Sequence, residues 1–160
     1  MDAKSYSDRL TPLLTQAATY ARSLLRHRSD AEDAVQQAAL RGWERIDQYD
    51  ATRPFKGWWF AILRNCCFDV HRSNHARKAD SLEGAEPAVE TTTSTADPQS
   101  LDVALTQIAQ AHREILRMKY FGDLKYDEIA EALGIPRGTV MSRLHLARKA
   151  LAAVMQEEMT

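Results

Sequence analysis

Nowhere in the 160 residues is there an apolar run that approaches the roughly 20 residues a membrane span needs. The amino-terminal stretch MDAKSYSDRLTPLL also lacks the basic-then-apolar order of a secretory signal, so the expectation is a cytoplasmic chain with no membrane insertion. Cysteine is almost missing: Cys66 and Cys67 are neighbours inside an apparent helix and cannot staple a fold as spaced pairs do, which fits a reducing compartment. With only six glycines and five prolines, turns are few, and no alternating strand pattern competes with the helical one. Lys and Arg vanish between residues 81 and 110, where Glu83, Glu86, Glu90, Asp97 and Asp102 stand unopposed. The net charge of −1 excludes a protein that coats nucleic acid indiscriminately.

What is present is sorted along the chain. Six cations (Arg53, Lys56, Arg64, Arg72, Arg77, Lys78) face Asp69 alone between residues 53 and 78, and Arg137, Arg143, Arg148 and Lys149 have no acid beside them between 134 and 156. Two basic patches therefore flank an acidic strap. Apolar residues recur at three- and four-residue steps, which predicts helices over about 7–27, from Ser29 with a Ser29/Glu32 capping box, and over about 55–77. Residues 80–100 are acidic, rich in Thr, Ser, Ala and Pro, and short of large apolar side chains, the composition of a flexible linker. The fold class expected is all-α: two small helical domains, 1–79 and 101–160, on either side of that linker.

YDEIAEALGIPRGTVMSRLHLARKAL has the spacing of a helix-turn-helix: a short helix over Tyr126 to Leu133, a turn at Gly134, and a longer helix from Pro136. Val140, Leu144, Ala147 and Leu151 form the stripe that packs on Ile129, Ala130 and Leu133. Gly138, Ser142, His145 and Lys149 then point the opposite way, bordered by Thr139, Met141 and Leu146. Ser142 and His145 suit base edges, while Arg137, Arg143, Arg148 and Lys149 suit phosphates.

Seven of the twelve aromatic residues fall between Trp43 and Phe68, interleaved with Lys56, Arg64 and Arg72. Rings that stack on bases, beside cations that follow the backbone, suit single-stranded DNA. Helical spacing buries Phe55, Trp59, Ile62, Leu63, Cys66 and Val70, and gathers Trp58, Asn65, Asp69 and Arg72 on a more polar face; Trp58 is open to either role. Glu32, Asp33, Gln36 and Gln37 make an acidic, glutamine-rich face that by itself reads equally as solvated surface. Cys66, Cys67, His71 and His75 could suggest a metal or redox site, but the two thiols diverge by about 100° and no acidic motif completes one, so neither metal nor cofactor is expected. A stand-alone regulator that binds an operator as a dimer is the alternative to a polymerase subunit, although no heptad seam is visible for a dimer to use.

DAEDAVQQAALRGWERIDQYDATRPFKGWWFAILRNCCFDVHR, with its D-A-E-D-x-x-Q opening, F-x-x-W step and R-N-x-x-x-D-x-x-R ending, resembles the promoter-melting domain of extracytoplasmic-function (ECF) sigma factors of bacterial RNA polymerase. REILRMKYFGDLKYDEIAEALGIPRGTVMSRLHLARKAL, with E-I-A, G-T-V and S-R-L-H-x-A-R, resembles their second domain, in the family's order. The resemblance implies that Asp30, Glu32, Asp33, Gln36 and Gln37 face the clamp helices of the polymerase's largest subunit. It implies that the loop from about Ile46 to Lys56 captures an extruded −10 base, with Tyr49, Phe55, Lys56, Trp58, Asn65, Asp69 and Arg72 holding adjacent DNA. The second domain would read the −35 element through Arg137, Thr139, Met141, Ser142, Arg143, His145, Leu146, Arg148 and Lys149 while resting on the flap of the second-largest subunit, and the linker would follow the RNA exit path. Promoter DNA and core polymerase are thus the implied partners, an anti-sigma factor is admitted as a third, and no catalysis is required of the chain. Ala109, Trp59, Leu146, Met141 and Lys125 depart from the family pattern; Lys125 stands where a Ser or Thr usually caps a helix, a loss that Asp123 would have to offset.

Overall fold

The structure, a computed structural model, describes the backbone of residues 1–80 and 98–159. Among these residues the chain is helical, with no strand. Helix α1 (Ala3–Leu10) is capped by the Asp2 carboxylate, which accepts from the Ser5 N–H at 2.8 Å. The single helix expected over 7–27 is divided, because a 3₁₀ turn at Thr11–Leu13 carries Pro12, which has no N–H to give, and α2 (Leu14–Leu24) follows. Helix α3 (Arg28–Glu44) starts one residue earlier than expected and without the Ser29/Glu32 capping box; the Glu32 carboxylate is instead taken by the Arg28 side chain at 3.0 Å. A 3₁₀ turn at Ile46–Gln48 leads into the loop before α4 (Phe55–Asp80). The expected linker lies mostly at 81–97, outside the described residues, and its two ends are helical, since α4 continues to Asp80 and α5 (Pro98–Thr106) begins at Pro98.

Helix α6 (Gln110–Tyr120) precedes the helix-turn-helix, formed by α7 (Tyr126–Leu133) and α8 (Arg137–Met159) as their spacing predicts. Gly134 closes α7 at φ 65°, a left-handed conformation that glycine adopts without the Cβ penalty, and Pro136 stands just ahead of α8. The missing cap at Lys125 is compensated in a way the sequence did not suggest. Lys125 offers no acceptor, but the Glu128 carboxylate reaches back to the Lys125 N–H at 2.8 Å, and Asp123 takes no part.

Two faces of α4 are buried. One packs on α3, with Trp59, Ile62, Leu63 and Cys66 at 6% exposure or less and Phe55 and Val70 half-buried. Here Gly42 of α3 is required by close approach, because a Cβ would lie 2.4 Å from the Tyr6 hydroxyl and 2.9 Å from the Trp59 ring. The other face meets α2, α7 and the turn before α7: Phe60, edge-to-face with Tyr20 at 5.6 Å, and Cys67 are fully buried, and a Cβ on Gly57 would stand 2.5 Å from the Glu128 carbonyl oxygen. One continuous buried cluster therefore runs from Tyr6 to Ala147, joining the helices on the two sides of 81–97. A helix that is apolar around much of its circumference is a buried helix, and α4 is used as one.

Candidate nucleic-acid interface

The acidic face of α3 is arranged as its sequence suggests. Glu32, Asp33, Gln36 and Gln37 are exposed, and Asp30 is half-buried, its carboxylate accepting from the Asn74 side chain at 2.7 Å. That bond comes from α4, so Asp30 is fixed in place while Asp33, Gln36 and Gln37 remain free to meet a partner.

The 46–56 loop is organised from within. The Asp50 carboxylate accepts from both the N–H and the hydroxyl of Thr52, at 2.9 and 2.7 Å, and these bonds hold its pKa below the ordinary value. The Tyr49 hydroxyl donates to the Arg53 carbonyl oxygen at 2.7 Å, folding the Tyr49 ring over the start of α4. There it lies 5.4 Å from Phe55 and 5.1 Å from Trp58, with Phe55 and Trp58 5.9 Å apart. Trp58 is half-buried, so one part of its indole is held by rings and another faces solvent. Tyr6 and Arg9 of α1 complete the cluster against Phe55, at 6.1 and 6.0 Å. Neither was expected, because nothing in local spacing links α1 to residue 55.

Asn65 is exposed further along α4, and Asp69 and Arg72 line the groove between α3 and α4, a cavity of about 500 Å³ that Asp30, Asp33 and Gln37 line from the other side. Residues expected to serve the polymerase and residues expected to serve DNA thus form the two banks of one groove. The Asp69 carboxylate accepts from Arg41 of α3 at 2.9 Å and also from Arg72, and those hydrogen bonds lower its pKa. Asp69 is accordingly held by two cations, one from each helix. Arg41, which the sequence reading passed over, is its counterpart.

Helix α8 buries Val140, Leu144 and Ala147 completely and turns Gly138, Met141, Ser142, His145, Leu146, Arg148 and Lys149 outward, with Thr139 and Arg143 half-buried. Two of its cations are already occupied: Arg137 pairs with Asp127 at 3.3 Å, and the Arg148 guanidinium donates to the Tyr120 hydroxyl at 2.7 Å. Met141 and Leu146 are more than half exposed, an apolar surface suited to a thymine methyl.

Two separate blocks of the chain match known families: residues 10–77 match sigma-70 region 2, and residues 99–151 match sigma-70 region 4. SigL, an ECF RNA polymerase sigma factor of Mycobacterium tuberculosis, is 34% identical over 144 residues, covering 86% of this chain and 81% of SigL. The chain belongs to the ECF RNA polymerase sigma factors. SigW of Bacillus subtilis is 30% identical over 80% of this chain and 76% of its own. Among solved structures, the sigma factor RpoE in complex with the anti-sigma factor NepR from Bartonella quintana superimposes with a TM-score of 0.70 at 26% identity, covering 96% of this chain and 98% of that one. CnrH, in complex with the cytosolic domain of CnrY, gives 0.72 at 22% identity over 98% and 90%, which shows the fold. Like its family, this sigma factor binds core RNA polymerase and promoter DNA, directs promoter recognition for transcription initiation, and is not an enzyme.

No helix among the described residues is long and apolar enough to cross a membrane, and those residues gather no group of three or more His, Cys, Asp or Glu for a metal ion. His71 and His75 stack at 6.3 Å on the exposed side of α4, away from the thiols. Cys66 and Cys67 are fully buried, and burial pushes the Cys66 thiol up and the Cys67 thiol up to about 12. A raised folded-state pKa gives stability that is complete below the ordinary thiol value of about 8.5 and lost as pH rises through the folded value. Near neutral pH, iodoacetamide is expected to label neither cysteine in the native chain and both in guanidinium. The urea midpoint is expected to fall as pH is raised from about 9 towards 12; mass spectrometry and unfolding curves check the two results.

Proposed function

We propose that the division of labour within this sigma factor follows its three surfaces. The exposed side of α3, with Asp33, Gln36 and Gln37 presented and Asp30 held by Asn74, docks on the clamp helices of the polymerase's largest subunit. The loop 46–56 and the Tyr49–Phe55–Trp58 ring cluster receive the −10 element, and the outward face of α8 reads the −35 element, Ser142 and His145 at base edges and Arg143 and Lys149 at phosphates. The domains proposed are 1–79 for core binding and melting and 101–160 for the −35 element, which rests on the flap. The chain works in the cytoplasm, and an anti-sigma factor is a further partner, as NepR is for RpoE.

The observation that carries this reading is the ring cluster. A half-open indole, braced by two other rings at the mouth of an ordered loop, is a stacking platform for an unpaired base, whose extrusion costs a few kcal/mol. A gel shift on a cognate promoter, with and without core polymerase, tests it. Sequence-specific retention is expected only when core is present; tight selective binding by the free chain would mark a self-sufficient operator-binding regulator instead.

A further inference from the structure

We propose that Met141 and Leu146 read the −35 element through thymine methyl groups, one on each strand, and that these contacts, more than hydrogen bonds to guanine, set its sequence. The inference rests on the reading of α8 as the −35 helix and adds what kind of base that helix selects.

Both side chains are apolar and stand in the open, Met141 at 52% exposure and Leu146 at 54%, on a face whose other outward residues include Gly138, Ser142, His145 and Lys149. Helix geometry gives their direction. They are five residues apart, which is about 7.5 Å along the axis and about 140° around it, so they flank the row of Ser142 and His145 that faces away from the core. A helix laid in the major groove therefore aims Met141 at one wall and Leu146 at the other, about two base pairs further on at roughly 3.4 Å per pair. Gly138 opens the same face. A Cβ there would meet nothing within 4 Å, so the fold does not call for glycine, and a bare first turn lets DNA come close.

The chemistry of the groove names what these side chains meet. Thymine alone among the bases carries an apolar group there, its C5 methyl, whereas guanine offers two acceptors that call for a forked donor. The forks of α8 are largely engaged. Arg137 pairs with Asp127, Arg148 donates to the Tyr120 hydroxyl, and Arg143 is half-buried at the edge of the face. The Ser142 hydroxyl turns back to the Thr139 carbonyl oxygen at 3.2 Å. An apolar protein surface would also cover Met141 and Leu146, but Arg143 and Lys149 beside them complement a polyanion. Both side chains gain by shedding water against a methyl group, and that gain is absent where cytosine or uracil replaces thymine.

The test is binding of core polymerase carrying the full chain to a promoter fragment recovered from genomic DNA, its −35 segment rebuilt from synthetic strands. Uracil in place of thymine removes the methyl and leaves base pairing intact. At two −35 positions, one on each strand and about two pairs apart, the exchange is expected to weaken binding about fourfold each, the loss of one buried methyl. Met141→Ala is expected to abolish the effect at one position and Leu146→Ala at the other, each leaving the second position sensitive. Exchanging a sensitive thymine–adenine pair for cytosine–guanine is expected to cost affinity that 5-methylation of the cytosine partly restores. Binding indifferent to uracil throughout the −35 segment, or alanine variants as sensitive as the native chain, would overturn the proposal. Both substitutions are at exposed positions, and circular dichroism checks that the fold is kept. If the bound enzyme protects no −35 segment, the reading of α8 fails and the proposal with it; indifference to uracil alone leaves that reading standing.

Discussion

Trp59→Ala is expected to lower the unfolding free energy by about 3–5 kcal/mol, the usual cost of emptying a buried aromatic site. Trp59 is completely buried, its ring edge lies against the α3 backbone at Gly42, and its centroid is 5.7 Å from that of Phe60. The α3 backbone beside it is tied to α1 by the hydrogen bond from the Tyr6 hydroxyl to the Ala39 carbonyl oxygen at 2.6 Å, which restricts how far the site can close. Since small domains are stable by only about 5–15 kcal/mol, such a loss leaves a chain close to unfolding. Urea denaturation followed by circular dichroism is expected to show a lower midpoint with an unchanged slope. A loss below about 1 kcal/mol would mean that the site relaxes and that the α3–α4 packing is looser than described.

The neighbouring substitution, Trp58→Ala, is expected to act on a different quantity. Trp58 is half-buried against Tyr49 and Phe55, so truncation leaves most of the core intact. One base-stacking platform is worth about 1–3 kcal/mol, and 1.4 kcal/mol is a factor of ten, so open-complex formation on a cognate promoter is expected to slow by about 5-fold to 140-fold. Affinity for core polymerase should stay within about twofold, because the proposed docking face on α3 does not include residue 58. Stopped-flow fluorescence of promoter opening and a core-binding titration separate the two; equal losses in both, or a fallen urea midpoint, would assign Trp58 to packing.

The contrast between these adjacent tryptophans shows what the sequence reveals. The buried face of Trp59, Ile62, Leu63 and Cys66 and the Val140, Leu144, Ala147 stripe were legible because a helix repeats its faces every three or four residues, and one neighbour decided each stripe. Gly134 and Pro136 were legible as turn chemistry. Phe60 and Gly57 were not, because Tyr20, Gly122 and Glu128, which meet them, arrive from about forty or more residues away, and no local pattern records a second neighbour. The start of α3 was misjudged for a competitive reason, since Glu32 has two available partners and Arg28 wins it. The sequence singled out Asp30, Asp69 and Arg72, but not Asn74 and Arg41, which engage Asp30 and Asp69 across 44 and 28 residues.

The carboxylate of Asp69, gripped from α3 by Arg41 and from its own helix by Arg72, has a mechanical consequence. It is a cross-brace between the helix proposed to lean on the polymerase and the helix proposed to hold separated strands. On that proposal α3 and α4 would meet their two partners as one unit, because the Arg41–Asp69 pair ties the helices together at the groove between them.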